Sequence, residues 1–182
     1  MLRATEQTGN IGKAVHGELD GEDEPCIRSK GYNPNIGTNQ AVNSDYINSG
    51  YDRGHVYPVM HTSNPLSMLA TSTLTNAAPQ DPYFNQNQWK QHEEAVIKDL
   101  EFCDEAYVVA GVAPDLNKSI NNRITVPEFF WRATCCLKDG VYIGKAYIGL
   151  NNNNNDVREG TVQELEKILS SYYENKIFPS IP

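Results

Sequence analysis

Asp52-Arg53-Gly54-His55-Val56-Tyr57, followed downstream by Phe84-Asn85-Gln86-Asn87-Gln88-Trp89 with Glu93 beyond, are the stretches on which the fold turns. The first reads as the end or start of a strand, because Pro58 then restrains the backbone. In extended backbone Arg53 and His55 point the same way, which sets a permanent cation beside a base that titrates near neutral pH. Gly54 between them leaves a gap through which a substrate backbone could approach closely. A base next to a cation suits phosphodiester hydrolysis, in which water must lose a proton and phosphoryl oxygens must be neutralised.

The second stretch predicts a helix over residues 86–102, with Asn85 as its N-cap. Trp89, Val96, Ile97 and Leu100 give it an apolar stripe, and Glu93 lies on or beside that stripe. A carboxylate in such a place needs a partner or the water shell of a metal. Asparagine offers a neutral oxygen, poor for zinc but acceptable to Mg²⁺ or Ca²⁺, and magnesium keeps several waters and needs few protein ligands. His55, His61 and His92 form a weaker zinc alternative without a recognisable ligand spacing.

Working outward, Thr71–Thr75 is short and threonine-rich, and residues 76–80 (Asn-Ala-Ala-Pro-Gln) read as a turn or irregular segment. Tyr107–Val112 reads as a buried strand, and Phe129–Leu137 with Val141–Leu150 as a hairpin turning through Lys138-Asp139-Gly140. Asn151–Asn155 is a polar spacer, read as a loop or low-complexity segment. A last helix runs over Val162–Tyr173, where Thr161 and Glu164 form a capping-box pattern. Strands interspersed irregularly with two good helices predict an α+β fold.

The chain has 182 residues, enough for one domain over 1–182, and its formal net charge is −8. That charge argues against broad phosphate-driven nucleic-acid binding, yet a metal and a few placed cations can neutralise one phosphate locally. Gly17–Pro25 carries five acidic residues, a solvated loop first and a calcium loop second. No apolar run is long enough to span a bilayer, and Met1–Lys13 lacks the apolar centre of a signal peptide. The cysteines, at 26, 103, 135 and 136, match no zinc-ribbon spacing, and disulfide pairing is left open.

The ordered set Asp52-Arg53-Gly54-His55, Thr75-Asn76 with Pro79-Gln80, then Asn85-Gln86 with Trp89 and Glu93 resembles the DNA/RNA non-specific endonucleases of the ββα-metal (His-Me finger) superfamily. Within that family it is similar to the animal endonuclease-domain-containing 1 proteins. A looser resemblance continues through Val126-Pro127 and Cys135-Cys136. It implies a ββα-metal nuclease core with an antiparallel sheet and flanking helices. It also implies a Mg²⁺-dependent endonuclease (Mn²⁺ or Ca²⁺ as other ions) that hydrolyses DNA and RNA without sequence specificity to leave 5′-phosphate ends.

On this resemblance His55 is the general base and Arg53 a phosphate contact, while Asn85 coordinates the metal and Glu93 holds its water. Asn76 becomes a substrate-side hydrogen-bonding residue and Asp52 a positioning one. Two departures stand out. Asn87 replaces a frequent glycine, and only 51 residues precede the motif, so N-terminal strands are expected to be missing. The family also implies a secreted, extracellular setting. The alternative is a catalytically degenerate extracellular domain that binds nucleic acid or another partner. The geometry required is a His55 that ends or adjoins one strand of a short hairpin, with the helix near Asn85 packed across it and the two side chains within about 12 Å. Activity should then rise through about pH 6 to 7.5.

Overall fold

The structure is a computed structural model that describes residues 41–154 and 156–173. The expectations for Gly17–Pro25, Cys26 and the N-terminal strands fall outside these residues.

Asp52–His55 forms β1, which pairs antiparallel with β2, Ala77–Gln80, in a two-stranded sheet. Asp52 faces Gln80 and His55 faces Ala77 in the register. The segment read as a turn is therefore a strand. Pro79 breaks the usual strand pattern, but a two-stranded ribbon is all edge and tolerates a residue without an N–H. A short α1, Asn43–Tyr46, precedes β1, and between the strands lie a 3-10 turn at Val59–His61 and α2, Pro65–Thr71.

After β2 the chain enters a helical rod at Asp81, whose side chain accepts from the Phe84 N–H at 3.0 Å. Asp81 is the N-cap and Pro82 holds the first helical position, a pairing that starts helices well. Asn85 is not the cap: it sits in helical backbone, four residues inside. The rod consists of α3, Pro82–Phe84, a π-turn at Asn85–Trp89, and α4, Lys90–Leu100. Together β1, β2 and this rod make the expected ββα unit.

The second sheet has four antiparallel strands in the order β3 (Glu105–Ile120), β4 (Ile124–Lys138), β5 (Val141–Leu150) and β6 (Arg158–Gly160). The β4–β5 turn is Asp139-Gly140 with φ of 50° and 78°, the two left-handed residues that match the twist of a tight hairpin. β4 is buried on both faces. Phe130 packs with Phe84, Trp89, Val56 and Ala78 on the ββα side, and Phe129, Trp131 and Ala133 pack with Leu165 and Leu169 on the other. Those leucines belong to α5, Val162–Leu169, whose N-terminus carries the predicted Thr161/Glu164 capping box. α5 ends four residues earlier than its apolar pattern suggested.

β3 is longer than the predicted strand because, beyond a bulge at Pro114, it runs into an arm with β4. Ile120 and Val126 of that arm pack with Tyr46 and Leu74, and Tyr51, Ala77 and Ile124 lie against them. Cys103 and Cys136 form a disulfide that ties the end of α4 to β4, and Cys135 is unpaired among the described residues. No helix among the described residues is long and apolar enough to cross a membrane.

The candidate functional site

His55, Asn85 and Glu93 line one cleft of about 260 Å³, together with Pro58, Val59, Met60, Gln86 and Lys90. The hairpin brings His55 to its end of β1, and the rod carries Asn85 and Glu93 past it. Eight residues of regular α-helix would turn Glu93 about 80° away from Asn85. The π-turn winds more slowly and takes up that excess, so both side chains reach the same cleft.

Asp52 controls how Asn85 presents itself. The Asn85 Nδ2 donates to Asp52 Oδ2 at 2.9 Å, and Gln86 Nε2 donates to the same oxygen at 2.9 Å. With its nitrogen committed to a carboxylate, the Asn85 amide has its oxygen left as the group to offer a cation. Asp52 thus holds the Asn85 and Gln86 amides on one carboxylate oxygen.

Glu93 has a protein partner that the sequence did not reveal. Arg132 of β4, fully buried, sets Nη2 3.2 Å from Glu93 Oε1 and lies over the Trp89 ring at 5.2 Å. Burial pushes the Glu93 carboxyl up from its ordinary value while the Arg132 charge pulls it back. The only hint in the sequence was an arginine within the apolar run Phe129–Ala133.

Three sequence expectations change. Asn76 is 8% exposed; its Oδ1 accepts from Tyr57 N at 3.0 Å, and its Nδ2 donates to Tyr57 O and Thr71 O, each at 2.8 Å. Its amide is spent on the backbone, where it clamps the loop after His55. Gly54 is buried, and a Cβ there would meet Gln80 Oε1 at 2.1 Å. Its missing side chain makes room for Gln80, not for substrate. The three histidines do not gather around zinc. His61 Nε2 meets the Glu93 carbonyl at 3.1 Å, and the His92 ring packs, tilted, between Trp89 and Tyr147. Among the described residues no three His, Cys, Asp or Glu side chains converge as metal ligands.

Arg53 is exposed and lies 5.8 Å from the Tyr46 ring centroid, outside the lining of the cleft. His55 is half-buried, and desolvation holds its imidazole below the ordinary 6.5. His61 is pushed down to about 4 and His92 to about 3, first by burial and then by the nearby Arg132 charge.

Asn151 is a further residue that sequence reading undervalued, since it opened an apparent spacer. It is buried, accepts from Asp81 N at 2.7 Å, and donates to Pro79 O at 2.9 Å and Pro127 O at 3.0 Å. One side chain therefore pins the end of β2, the helix cap and β4 together.

The sequence profile described as DNA/RNA non-specific endonuclease matches residues 18–175. The human "Endonuclease domain-containing 1 protein" is 30% identical over 139 residues, 74% of this chain and 27% of that protein. A "Nuclease" of Nostoc sp. (strain PCC 7120 / SAG 25.82 / UTEX 2576) is 31% identical over 152 residues, 76% of this chain and 56% of that one. The chain thus spans about a quarter of the first relative and just over half of the second. A crystal structure of an EndoG/EndoGI complex superposes with a TM-score of 0.60 at 22% identity, covering 70% of this chain and 60% of that one. That likeness is one of fold.

Proposed function

This chain belongs to the DNA/RNA non-specific endonuclease family, and on that footing we propose that it is a divalent-metal-dependent endonuclease cutting DNA and RNA without regard to sequence. The observation that carries the reading is the single cleft shared by His55, Asn85 and Glu93, with the Asn85 amide turned by Asp52. His55, neutral near pH 7, accepts a proton from a water molecule as its oxygen attacks phosphorus in line. The P–O bond to the 3′ oxygen breaks and that oxygen takes a proton from a solvent water, leaving a 5′-phosphate and a 3′-hydroxyl, while His55 returns its proton to solvent.

The donor set fits magnesium: a neutral amide oxygen and a nearby carboxylate are hard oxygen groups, and Mg²⁺ keeps most of its waters. Asn85 is the direct ligand in this reading, and Glu93, braced by Arg132, accepts hydrogen bonds from the ion's waters. When bound, the ion supplies positive charge at the phosphoryl and departing oxygens; Mn²⁺ or Ca²⁺ are the other candidates. Arg53 meets a phosphate beside the reacting one. Contacts to phosphate and sugar carry no sequence information, which accounts for a non-specific substrate range. We place the working protein outside the cell, in keeping with its Cys103–Cys136 disulfide.

Supercoiled plasmid and a long RNA, each incubated with Mg²⁺ and with chelator, test the proposal. Nicking and RNA cleavage that stop on chelation, and a loss of about 10²–10⁴-fold in His55→Ala, are expected. Binding without cleavage, at any divalent ion, would replace this reading by the degenerate one.

A further inference from the structure

The chain is acidic, yet its unneutralised cations include one on the cleft wall and two against the segment that leads into β1. Among the described residues Arg123, Arg132, Lys138 and Lys145 pair with carboxylates, while Lys90, Arg53 and Lys118 do not. Lys90 is an exposed residue on the wall of the His55 cleft. Arg53 lies over the Tyr46 ring at 5.8 Å, and Lys118 lies over the Tyr51 ring at 5.4 Å. Both rings belong to the segment that leads into β1, so Arg53, within β1, and Lys118, from β3, both lie against that segment.

The arm bearing Lys118 is held there by built contacts. Asn121 Nδ2 donates to the Asp45 carbonyl at 2.7 Å, and Arg123 Nε donates to Asp45 Oδ1 at 2.9 Å. Ile120 and Val126 pack into the cluster that also holds Tyr46 and touches Ala77, the register partner of His55. The acids nearby are engaged: Asp45 with Arg123, Asp52 with the amides of Asn85 and Gln86, and Asp115 with Asn117 N.

We infer that Lys90, Arg53 and Lys118 form a phosphate track for one nucleic-acid strand, with the β3–β4 arm as its outer wall beyond the scissile bond. The inference rests on the endonuclease reading and adds the path of the substrate. From Tyr51 to His55 extended backbone covers about 13 Å, and at 3.4 Å of rise per nucleotide that corresponds to roughly four nucleotides. Charge without base contact gives binding that depends on salt and not on sequence.

Binding is measured in His55→Ala with chelator present, so that cutting is suppressed, using labelled duplex DNA, single-stranded DNA and RNA over a salt series. Adding Lys118→Gln should lower the slope of log K against log salt by about 0.9 on duplex and about 0.7 on single strands, for every sequence tried. Arg53→Gln should do the same. Lys167→Gln, an equally unpaired lysine on α5 across the sheet, should leave the slope unchanged. An unchanged slope in Lys118→Gln overturns the track while leaving the endonuclease reading intact, as does an effect confined to one base sequence. A His55→Ala protein that binds no nucleic acid at low salt overturns both.

Discussion

The Arg132 guanidinium is wholly buried and rests 3.2 Å from the Glu93 carboxylate, joining the middle of the sheet to the helix that crosses it. The pair makes the candidate site part of the core. It also explains why a glutamate can sit on the apolar stripe of α4.

Removing one partner leaves the other's largely buried charge uncompensated. Arg132→Met should cost about 3–5 kcal/mol of unfolding free energy by urea titration, while Arg132→Met with Glu93→Leu should recover a good part of the loss. A double variant no more stable than the single would show that the pair's charges do not set the cost.

The Asp52 contact predicts an effect on metal use without loss of the fold. Asp52→Ala frees the Asn85 amide to turn, and the Mg²⁺ midpoint for nicking should rise about 10-fold, the lower end for an outer-shell partner. Circular dichroism of the same sample verifies folding. A midpoint equal to that of the parent would show that Asp52 does not orient Asn85.

For the base, the structure moves the expected pH profile. Burial holds His55 below 6.5, so the neutral, proton-accepting form is already dominant at pH 6.5. The midpoint of the rise in activity should lie below pH 6.5, not within the rise through about pH 6 to 7.5 that an unperturbed histidine would give. Nicking rates at saturating Mg²⁺ and fixed ionic strength decide between the two.

Stability should follow pH through two other histidines. His61 and His92 stay neutral in the fold down to about 4 and about 3, whereas the unfolded chain takes up protons near 6.5. Below 6.5 the unfolded state binds more protons, so their contribution is complete above 6.5 and is lost as pH falls towards 4 and then 3. The urea midpoint should drop across that window. His92→Phe, which keeps a ring between Trp89 and Tyr147, should make the drop shallower.

Gly54 is expected to be intolerant for a packing reason. In Gly54→Ala the new methyl would overlap Gln80 Oε1 and Cβ at 2.1 and 2.4 Å, forcing β1 and β2 apart. A loss of about 1–3 kcal/mol in thermal or urea unfolding is expected. Nicking should fall with it, since His55 ends β1.

Sequence alone determined the features whose causes lie within a few residues. The Asp139-Gly140 turn, the Thr161/Glu164 box, the strands on either side of residue 139 and the α+β class follow from local backbone preference and apolar spacing. The ordered run from Asp52 to Glu93 was likewise sufficient to suggest the ββα unit and its candidate residues. It failed where a local signal was ambiguous: Asn85 resembled a cap until Asp81 was seen to hold that place. Only the tertiary structure decided what lies across the fold. Arg132 reaches Glu93 over 39 residues, Asn151 reaches Pro79 over 72, and Asn76 spends its amide on Tyr57 at a separation of 19. A buried polar group must find its partner wherever the packing sets one, and no spacing rule in the chain encodes that choice.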